Sequence, residues 1–314
     1  MGAKILYIAG SGRSGSTILD NILGQIDGFV SVGEVRFVWE RGVVEDRTCA
    51  CGQPFSECPF WTGVLSDAGV DHPTDAQHML GLLAHGTRAR QIPRMMGPRS
   101  VRRRFADQLH ELSGRLSGLY RAIAERSEAR VIVDSSKLPT YGWWLQQMAG
   151  VDLRVVHLVR DPRATAYSWR RKKALPDKRE GGFMQQQGPL KASGLWTLWN
   201  ATAQIFWRRS GRYLRVRYED FVRDPRATVE RICAFVDEPA ATLPFVSDHE
   251  VALEPSHSVA GNPSRFTTGT VALRPDDEWR TKIPFRDRAV VTAVTWPLLL
   301  QLGYSSDGSS DGSA

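Results

Sequence analysis

The sequence has no uninterrupted apolar run of 18 residues, so no segment is expected to cross a bilayer as a helix. Its opening, MGAKILYIAG, carries one lysine and a short apolar stretch that gives way to glycine. A secretory leader needs a longer apolar region and a small-residue cleavage site, so the segment reads as a first strand. Leu6 stands where N-myristoylation needs Ser or Thr. Without an export signal the expected compartment is the cytoplasm. Four cysteines in 314 residues are too few for a disulfide scaffold. There is no internal repeat. No stretch interleaves aromatic with basic residues as an RNA- or DNA-binding module would, so no nucleic-acid partner is expected despite a net charge of +7. The last ten residues, SSDGSSDGSA (305–314), hold no large apolar side chain and are expected to form a disordered tail.

What is present is an α/β pattern. KILYIA (4–9), FVSV (29–32), RVIVD (130–134), LRVVHLV (153–159) and YLRVRY (213–218) read as strands. Helical stretches alternate with them. Ile18, Leu19, Ile22 and Leu23 recur at helical spacing, Leu138–Met148 forms a helix from near Pro139, Asp161-Pro162 opens another, and a further helix starts at Pro225 with Val229, Ile232, Cys233 and Val236 on one face. Such alternation implies a parallel sheet with helices on both faces. The chain is expected to be one domain over 1–304, with a helical insertion at about 60–128. Within that insertion Phe105, Leu109, Leu112, Leu116, Leu119 and Ile123 make one apolar stripe, read as a helix packed on the sheet, with dimerisation against a partner as the alternative.

Between the first strand and its helix lies Gly10-Ser11-Gly12-Arg13-Ser14-Gly15-Ser16-Thr17. Small residues let backbone N–H groups converge on an anion, and a helix N-terminus adds partial positive charge. On the Walker A pattern Gly10, Gly15 and Thr17 fall correctly, but Ser16 takes the place of the phosphate-binding lysine. The fixed cation is Arg13. A nucleotide-dependent kinase with a degenerate loop is therefore the rival enzyme reading, and a basic nucleic-acid-binding protein the rival outside enzymes.

GSGRSGSTILDNIL resembles the 5'-phosphosulfate loop of sulfotransferases that use 3'-phosphoadenosine-5'-phosphosulfate (PAPS). The resemblance implies a P-loop-like α/β fold and transfer of a sulfuryl group to an acceptor hydroxyl, leaving 3',5'-ADP. It gives Arg13 a contact to the leaving group, while Gly12, Ser14, Gly15, Ser16 and Thr17 wrap the 5'-phosphate. VVHLVRDPRATAYSWRRK is similar to that family's 3'-phosphate site, with Arg160 at a strand end and Ser168 eight residues later. An arginine fork and a helix hydroxyl are suited to grip a phosphate together. RVRYEDFVRDP resembles the Tyr-Glu segment near the nucleotide and points to Tyr218. HSVAGNPSRF resembles the late loop that closes over the 3'-phosphate, where the vertebrate cytosolic branch has Arg-Lys-Gly; here Gly261, Asn262 and Arg265 are present, with Arg265 the candidate contact. The resemblance spans segments from 5 to about 304 and skips 45–128.

The cytosolic small-molecule branch carries its base in Lys-Thr-His-Leu-Pro; the comparable stretch here is Ser135-Ser136-Lys137-Leu138-Pro139, without that histidine. Tyrosylprotein sulfotransferases are similar in another spacing, a basic loop residue followed 21 positions later by Glu and two beyond that by Arg. Arg13, Glu34 and Arg36 fall on it, and Lys137 matches that branch's lysine. The expectation is Glu34 as general base, Arg13 and Lys137 stabilising charge, and Arg36 orienting Glu34 or the acceptor; the alternative for Glu34 is a surface salt bridge with Arg36. The acceptor, a small molecule, lipid or glycan, is left open.

Two features stand outside this chemistry. Cys49, Cys51 and Cys58 precede Pro59-Phe60-Trp61 without a fourth ligand nearby; His72 is a distant candidate for zinc. A disulfide or simple loop packing are the alternatives, packing is favoured, and no metal is expected. Seven arginines between Arg88 and Arg104 read as a solvated face, with docking to an anionic membrane or acidic acceptor as the alternative.

Overall fold

The structure is a computed structural model and describes residues 4–70, 73–239 and 242–305. Five parallel strands form its centre: β1 (Lys4–Gly10), β2 (Phe29–Gly33), β3 (Val131–Lys137), β4 (Asp152–Val159) and β5 (Tyr213–Arg217), in the order β2-β3-β1-β4-β5. β1 is the middle strand, with Ile5 opposite Ile132 on one side and Leu153 on the other. Both its faces are covered. Ile5, Tyr7 and Ala9 join one core with Ile132 and Val155, while Leu6 and Ile8 join the other with Val133 and Val156. That two-sided burial is why these strands read as near-continuous apolar runs.

α1 (Ser16–Leu23) and, later in the chain, the helix that starts at Pro225 cover the Leu6 face. The insertion covers the other: α2 (Pro59–Asp67), α3 (Pro73–Gly86), α4 (Ile92–Met96), α5 (Arg99–Gln108) and α6 (His110–Ser127), joined by α7 (Pro139–Gln146). α8 (Pro162–Arg170) and α9 (Pro189–Trp207) follow β4; α10 (Tyr218–Arg223) and α11 (Pro225–Phe235) follow β5; α12 (Trp279–Lys282) and α13 (Phe285–Gln301) close the described chain. The helix starts at Pro162 and Pro225 are as read. Asp161 accepts from the Arg163 N–H at 2.8 Å and Asp224 from the Ala227 N–H at 3.0 Å, each capping a helix with proline in its first turn.

Three features depart from the sequence reading. The stripe from Phe105 to Ile123 is not one helix: the chain breaks at Leu109 (φ −124°, ψ 34°) between α5 and α6. α5 buries only Phe105, so it has no apolar face to hold it collinear with α6, although the stripe still packs into one core. A short helix, α10, precedes α11. A second sheet, β6 (Phe245–Ser247), β7 (Glu250–Leu253) and β8 (Gly269–Ala272), is antiparallel. Its strands are three or four residues long, too short for an alternation to show. The seven arginines from Arg88 to Arg104 are all exposed, as a solvated face would be. Nine of the ten tail residues, and His72, lie outside the described residues. Among those described, no helix is long and apolar enough to cross a membrane.

Candidate active site

Each of the five parallel strands ends at, or one residue before, a cleft-lining residue. β1 runs into the glycine loop, β2 ends one residue before Glu34, β3 ends on Lys137, β4 stops one residue before Arg160, and β5 one residue before Tyr218. The crevice beyond the carboxyl ends of parallel strands is where open α/β sheets place ligands. Here it is a cavity of about 850 Å³ lined by eight basic side chains and only two carboxylates, Glu34 and Asp276.

The loop after β1 is shaped by close approach. Gly10 adopts φ 141°, and a Cβ there would meet the Leu158 carbonyl oxygen at 2.5 Å; at Gly15 (φ 89°) it would meet the Tyr218 ring at 2.5 Å. Arg13 adopts φ 67°, in the left-handed region that non-glycine residues rarely occupy. This turn presents its guanidinium to the cleft, 4.8 Å from the Trp169 ring centroid, with Nη1 donating to Met184 Sδ at 3.1 Å. The hydroxyls of Ser11 and Ser14 and Nη2 of Arg13 are buried without a hydrogen-bond partner among the described residues. α1 begins with no side-chain cap and no acidic residue in its first turn. Gly12, Gly15, Ser16 and Thr17 line the cavity; Ser14 lies beneath its surface.

Glu34 and Lys137 meet across the ends of β2 and β3, with Nζ 2.7 Å from Oε1. Both side chains are nearly enclosed, at 11% and 13% exposure, so this is not a surface pair. Glu34's partner is Lys137, not Arg36. Burial pushes the Glu34 carboxyl up, but Lys137, Arg41 and Arg36 outweigh it and hold it below the ordinary carboxylate range. Burial lowers the Lys137 ammonium, against the pull of Glu34. Lys137 also adopts φ 67° and donates to the Ser135 carbonyl at 2.9 Å. Arg36 and Arg41 both lie 3.8 Å from the Phe37 ring centroid, and Nε of Arg36 is buried without a hydrogen-bond partner among the described residues.

Arg160 sits beside the loop. It donates to the Arg13 carbonyl at 3.3 Å, pairs with Asp276 at 3.1 Å and stacks 4.5 Å from the Tyr218 ring centroid, leaving Nε without a hydrogen-bond partner among the described residues. Ser168 lines the same cavity from α8. The late loop closes on the first, because the Asn262 N–H donates to Thr17 Oγ1 at 3.2 Å and Gly261 lies over Thr17 and Glu34.

Arg265 departs from its expected place. Its side chain is buried against Asp177 at 3.2 Å and donates to the Thr48 carbonyl at 2.9 Å, outside the cavity lining. Asp177 supplies the buried counter-charge that draws it there. The sequence reading missed Arg41, Arg47, Lys173 and Lys178, which also line the cavity. Lys173 continues the SWRRK stretch already singled out, so the run of cations after α8 was an available signal; Arg41 rides a wide π-type turn, Val38–Val44, that no local pattern announces. Trp196 and Trp199 reach the lining, whereas Trp143 and Trp144 are core. His157 is also core, bonded to Tyr213 Oη at 2.7 Å and Asn200 Oδ1 at 2.8 Å, and burial lowers it to about 4.

The family model of the sulfotransferase family matches residues 6–242. Carbohydrate sulfotransferase 3 of Homo sapiens is 29% identical over 171 residues, covering 49% of this chain and 34% of that protein. Its Mus musculus counterpart is 27% identical over 168 residues with the same shares. The chain thus spans about a third of the length of the curated relatives it matches. Among solved structures, the sulfotransferase domain from the Synechococcus PCC 7002 olefin synthase aligns with a TM-score of 0.53 at 20% identity, over 95% of this chain and 94% of that one. The sulfotransferase domain from the curacin biosynthetic pathway aligns with a TM-score of 0.51 at 16% identity, over 95% and 98%. These two likenesses are of fold. The family match starts within β1 and ends beyond α11, taking in all five strand ends that meet at the cleft, and on that span the chain belongs to the sulfotransferase family.

Proposed function

We propose that the chain transfers a sulfuryl group from PAPS to an acceptor hydroxyl, with Glu34 as general base. The observation that carries this reading is the Glu34–Lys137 pair, enclosed in the same cation-rich cavity as the glycine loop and Arg160. The residues present fit the nucleotide: a turn with unpartnered donors on Ser11, Arg13 and Ser14 suits its 5'-phosphate end, and the unpartnered Nε of Arg160, with Ser168, suits its 3'-phosphate. Bound PAPS supplies the sulfuryl group and the 3',5'-ADP leaving group. Tyr218, held between Gly15 and Arg160, walls the nucleotide side.

Glu34 is ionised at neutral pH because its cationic neighbours outweigh its burial, so it is ready to accept the acceptor's proton. Lys137 and Arg13 place positive charge where negative charge accumulates during transfer. The reaction as drawn needs no metal. Family membership removes the support for the kinase rival, as does Ser16 in the lysine position. For the acceptor, the carbohydrate sulfotransferase relatives favour a glycan hydroxyl, and Trp169, Phe183 and Trp199 add aromatic side chains to the cavity lining, against which a sugar could pack.

Thermal-shift measurements with 3',5'-ADP and with ATP-Mg test the nucleotide assignment, followed by labelled PAPS with oligosaccharide, small-phenol and lipid acceptors. Stabilisation by 3',5'-ADP and label transfer to an oligosaccharide are expected. Stronger stabilisation by ATP-Mg refutes the PAPS reading; label going only to phenols or lipids refutes the glycan.

A further inference from the structure

We propose that Cys49, Cys51, Cys58 and His257 bind one zinc ion, which fastens the late loop of the cleft to the segment before α2. The fourth ligand missing from the local sequence is supplied by the fold, 199 residues beyond Cys58. The donor atoms of all four residues lie within 4.8 Å of one another. Sγ of Cys51 is 3.6 Å from that of Cys58, and Nδ1 of His257 is 3.3 Å from Cys58 Sγ and 4.0 Å from Cys49 Sγ. A tetrahedral ion with Zn–S of about 2.3 Å and Zn–N of about 2.0–2.1 Å requires edges of about 3.8 Å between sulfurs and about 3.5 Å from sulfur to nitrogen. The observed separations fall around those edges. Three thiolates with one imidazole in a closed tetrahedron is the donor set of a structural zinc site.

The surroundings hold the ligands in place. Cys49 opens a tight turn that contains Cys51: the Cys49 N–H donates to Gln53 O at 2.8 Å, the Gly52 N–H to Cys49 O at 2.9 Å, and Gly52 adopts φ 91°. Phe60 stacks on the His257 ring at 4.7 Å and 13°, and Trp61 Nε1 donates to the His257 carbonyl at 2.7 Å, so the ring's Nδ1 edge is turned to the sulfurs. Outer contacts of this kind are what orient metal ligands. A disulfide would engage two of the three cysteines and would not account for the imidazole nitrogen beside their sulfurs. Packing alone would not need the four donor atoms to converge. A filled site carries three thiolate charges against two on the ion, and Arg265, bonded to the carbonyl of Thr48 next to Cys49, places a buried cation beside it.

The ion would act through the loop, away from the transferring group. From His257 the chain runs to Val259, whose N–H donates to Val32 O at 3.1 Å, then to Ala260, whose carbonyl accepts from the Glu34 N–H at 3.3 Å, and then to Gly261 and Asn262 over Thr17. Zinc uptake releases the thiol protons and makes no redox demand.

Elemental analysis of the full chain, purified without a metal-affinity step, is expected to find one zinc per chain. A mercurial thiol reagent should release it to a chromogenic indicator. Cys58→Ser and His257→Ala should each lose most of the metal, while Cys233→Ser, in α11, keeps it. Because the ligand variants could misfold, wild type exchanged into cobalt gives an independent reading: thiolate-to-cobalt charge-transfer bands with tetrahedral d–d absorption support the site. Wild type without zinc, an intact mass showing a Cys51–Cys58 disulfide, or zinc retained in full by both ligand variants overturns it.

Discussion

Glu34→Gln separates the two roles a carboxylate at the end of β2 could play. The amide keeps the size of the side chain, removes the proton acceptor and converts the 2.7 Å ion pair with Lys137 into a neutral contact. If Glu34 is the base, turnover at saturating PAPS and acceptor falls by roughly 10²–10⁴-fold, the usual worth of a positioned acid–base group. That is about 3–5 kcal/mol in the barrier, at about 1.4 kcal/mol per decade. Stability falls much less. Lys137 retains the Ser135 carbonyl at 2.9 Å and can still donate to the amide oxygen, so about 1–2 kcal/mol is expected, below the cost of stranding a buried ion. The affinity for 3',5'-ADP should hold or rise, because the cleft loses one of its two carboxylates and none of its cations. The pH dependence follows from the lowered carboxyl of Glu34. Its pairing contributes stability above the unfolded glutamate value of about 4.3 and loses it as pH falls through the lower folded value, so the stability gap between variant and wild type closes only in that acid range. By the same sign, wild-type turnover has no acid limb from Glu34 between about pH 5 and 8. Steady-state turnover, calorimetry with 3',5'-ADP and denaturant titration together read all of this. Turnover within about threefold of wild type, in a folded variant, refutes Glu34 as the base.

Arg160→Ala should weaken 3',5'-ADP by about 1.5–3 kcal/mol, the range for hydrogen bonds to a charged group, measured by calorimetry; unchanged affinity in a folded variant removes Arg160 from the site. His157→Gln should flatten one part of the stability profile. The imidazole is held to about 4 by burial, against about 6.5 unfolded, so it contributes about 3 kcal/mol above pH 6.5 that is lost as pH falls towards 4. Asp20 and Asp134, buried carboxyls pushed up to about 7 and about 6, gain on acidification instead, so the test is the difference between variant and wild type in denaturant titrations at pH 7 and pH 5. A constant difference refutes the assignment.

The parts of the fold that could be read in advance were those specified locally. β1, β3 and β4 are apolar runs buried on both faces and bounded by loops, and the candidate residues follow their ends within the same stretch of sequence. Arg13, Glu34, Lys137, Arg160, Ser168 and Tyr218 were therefore named from short motifs, and the fold brings them to one cavity. What could not be read depends on partners distant in sequence. Arg265 is claimed by Asp177, 88 residues away, and Glu34 pairs with Lys137 because β2 and β3 are neighbours, a pairing that the motif spacing alone did not state. The break at Leu109 was hidden for a different reason: a stripe of apolar residues keeps its period across a helix boundary when both helices pack on the same core.

Arg13 and Lys137 share a backbone setting as well as a cleft: each is a non-glycine residue at φ 67°. Holding a side chain there costs on the order of 1 kcal/mol that glycine would not incur. On the proposed mechanism these are positions where selection for stability and selection for activity point in opposite directions, since glycine would relax the backbone while deleting a cation from the cleft. If Arg13 and Lys137 act as proposed, a stabilised descendant of this chain found by random mutation would be suspect as an enzyme where either position had turned to glycine, and the remaining strand ends could then be intact around a binding site unable to carry out transfer.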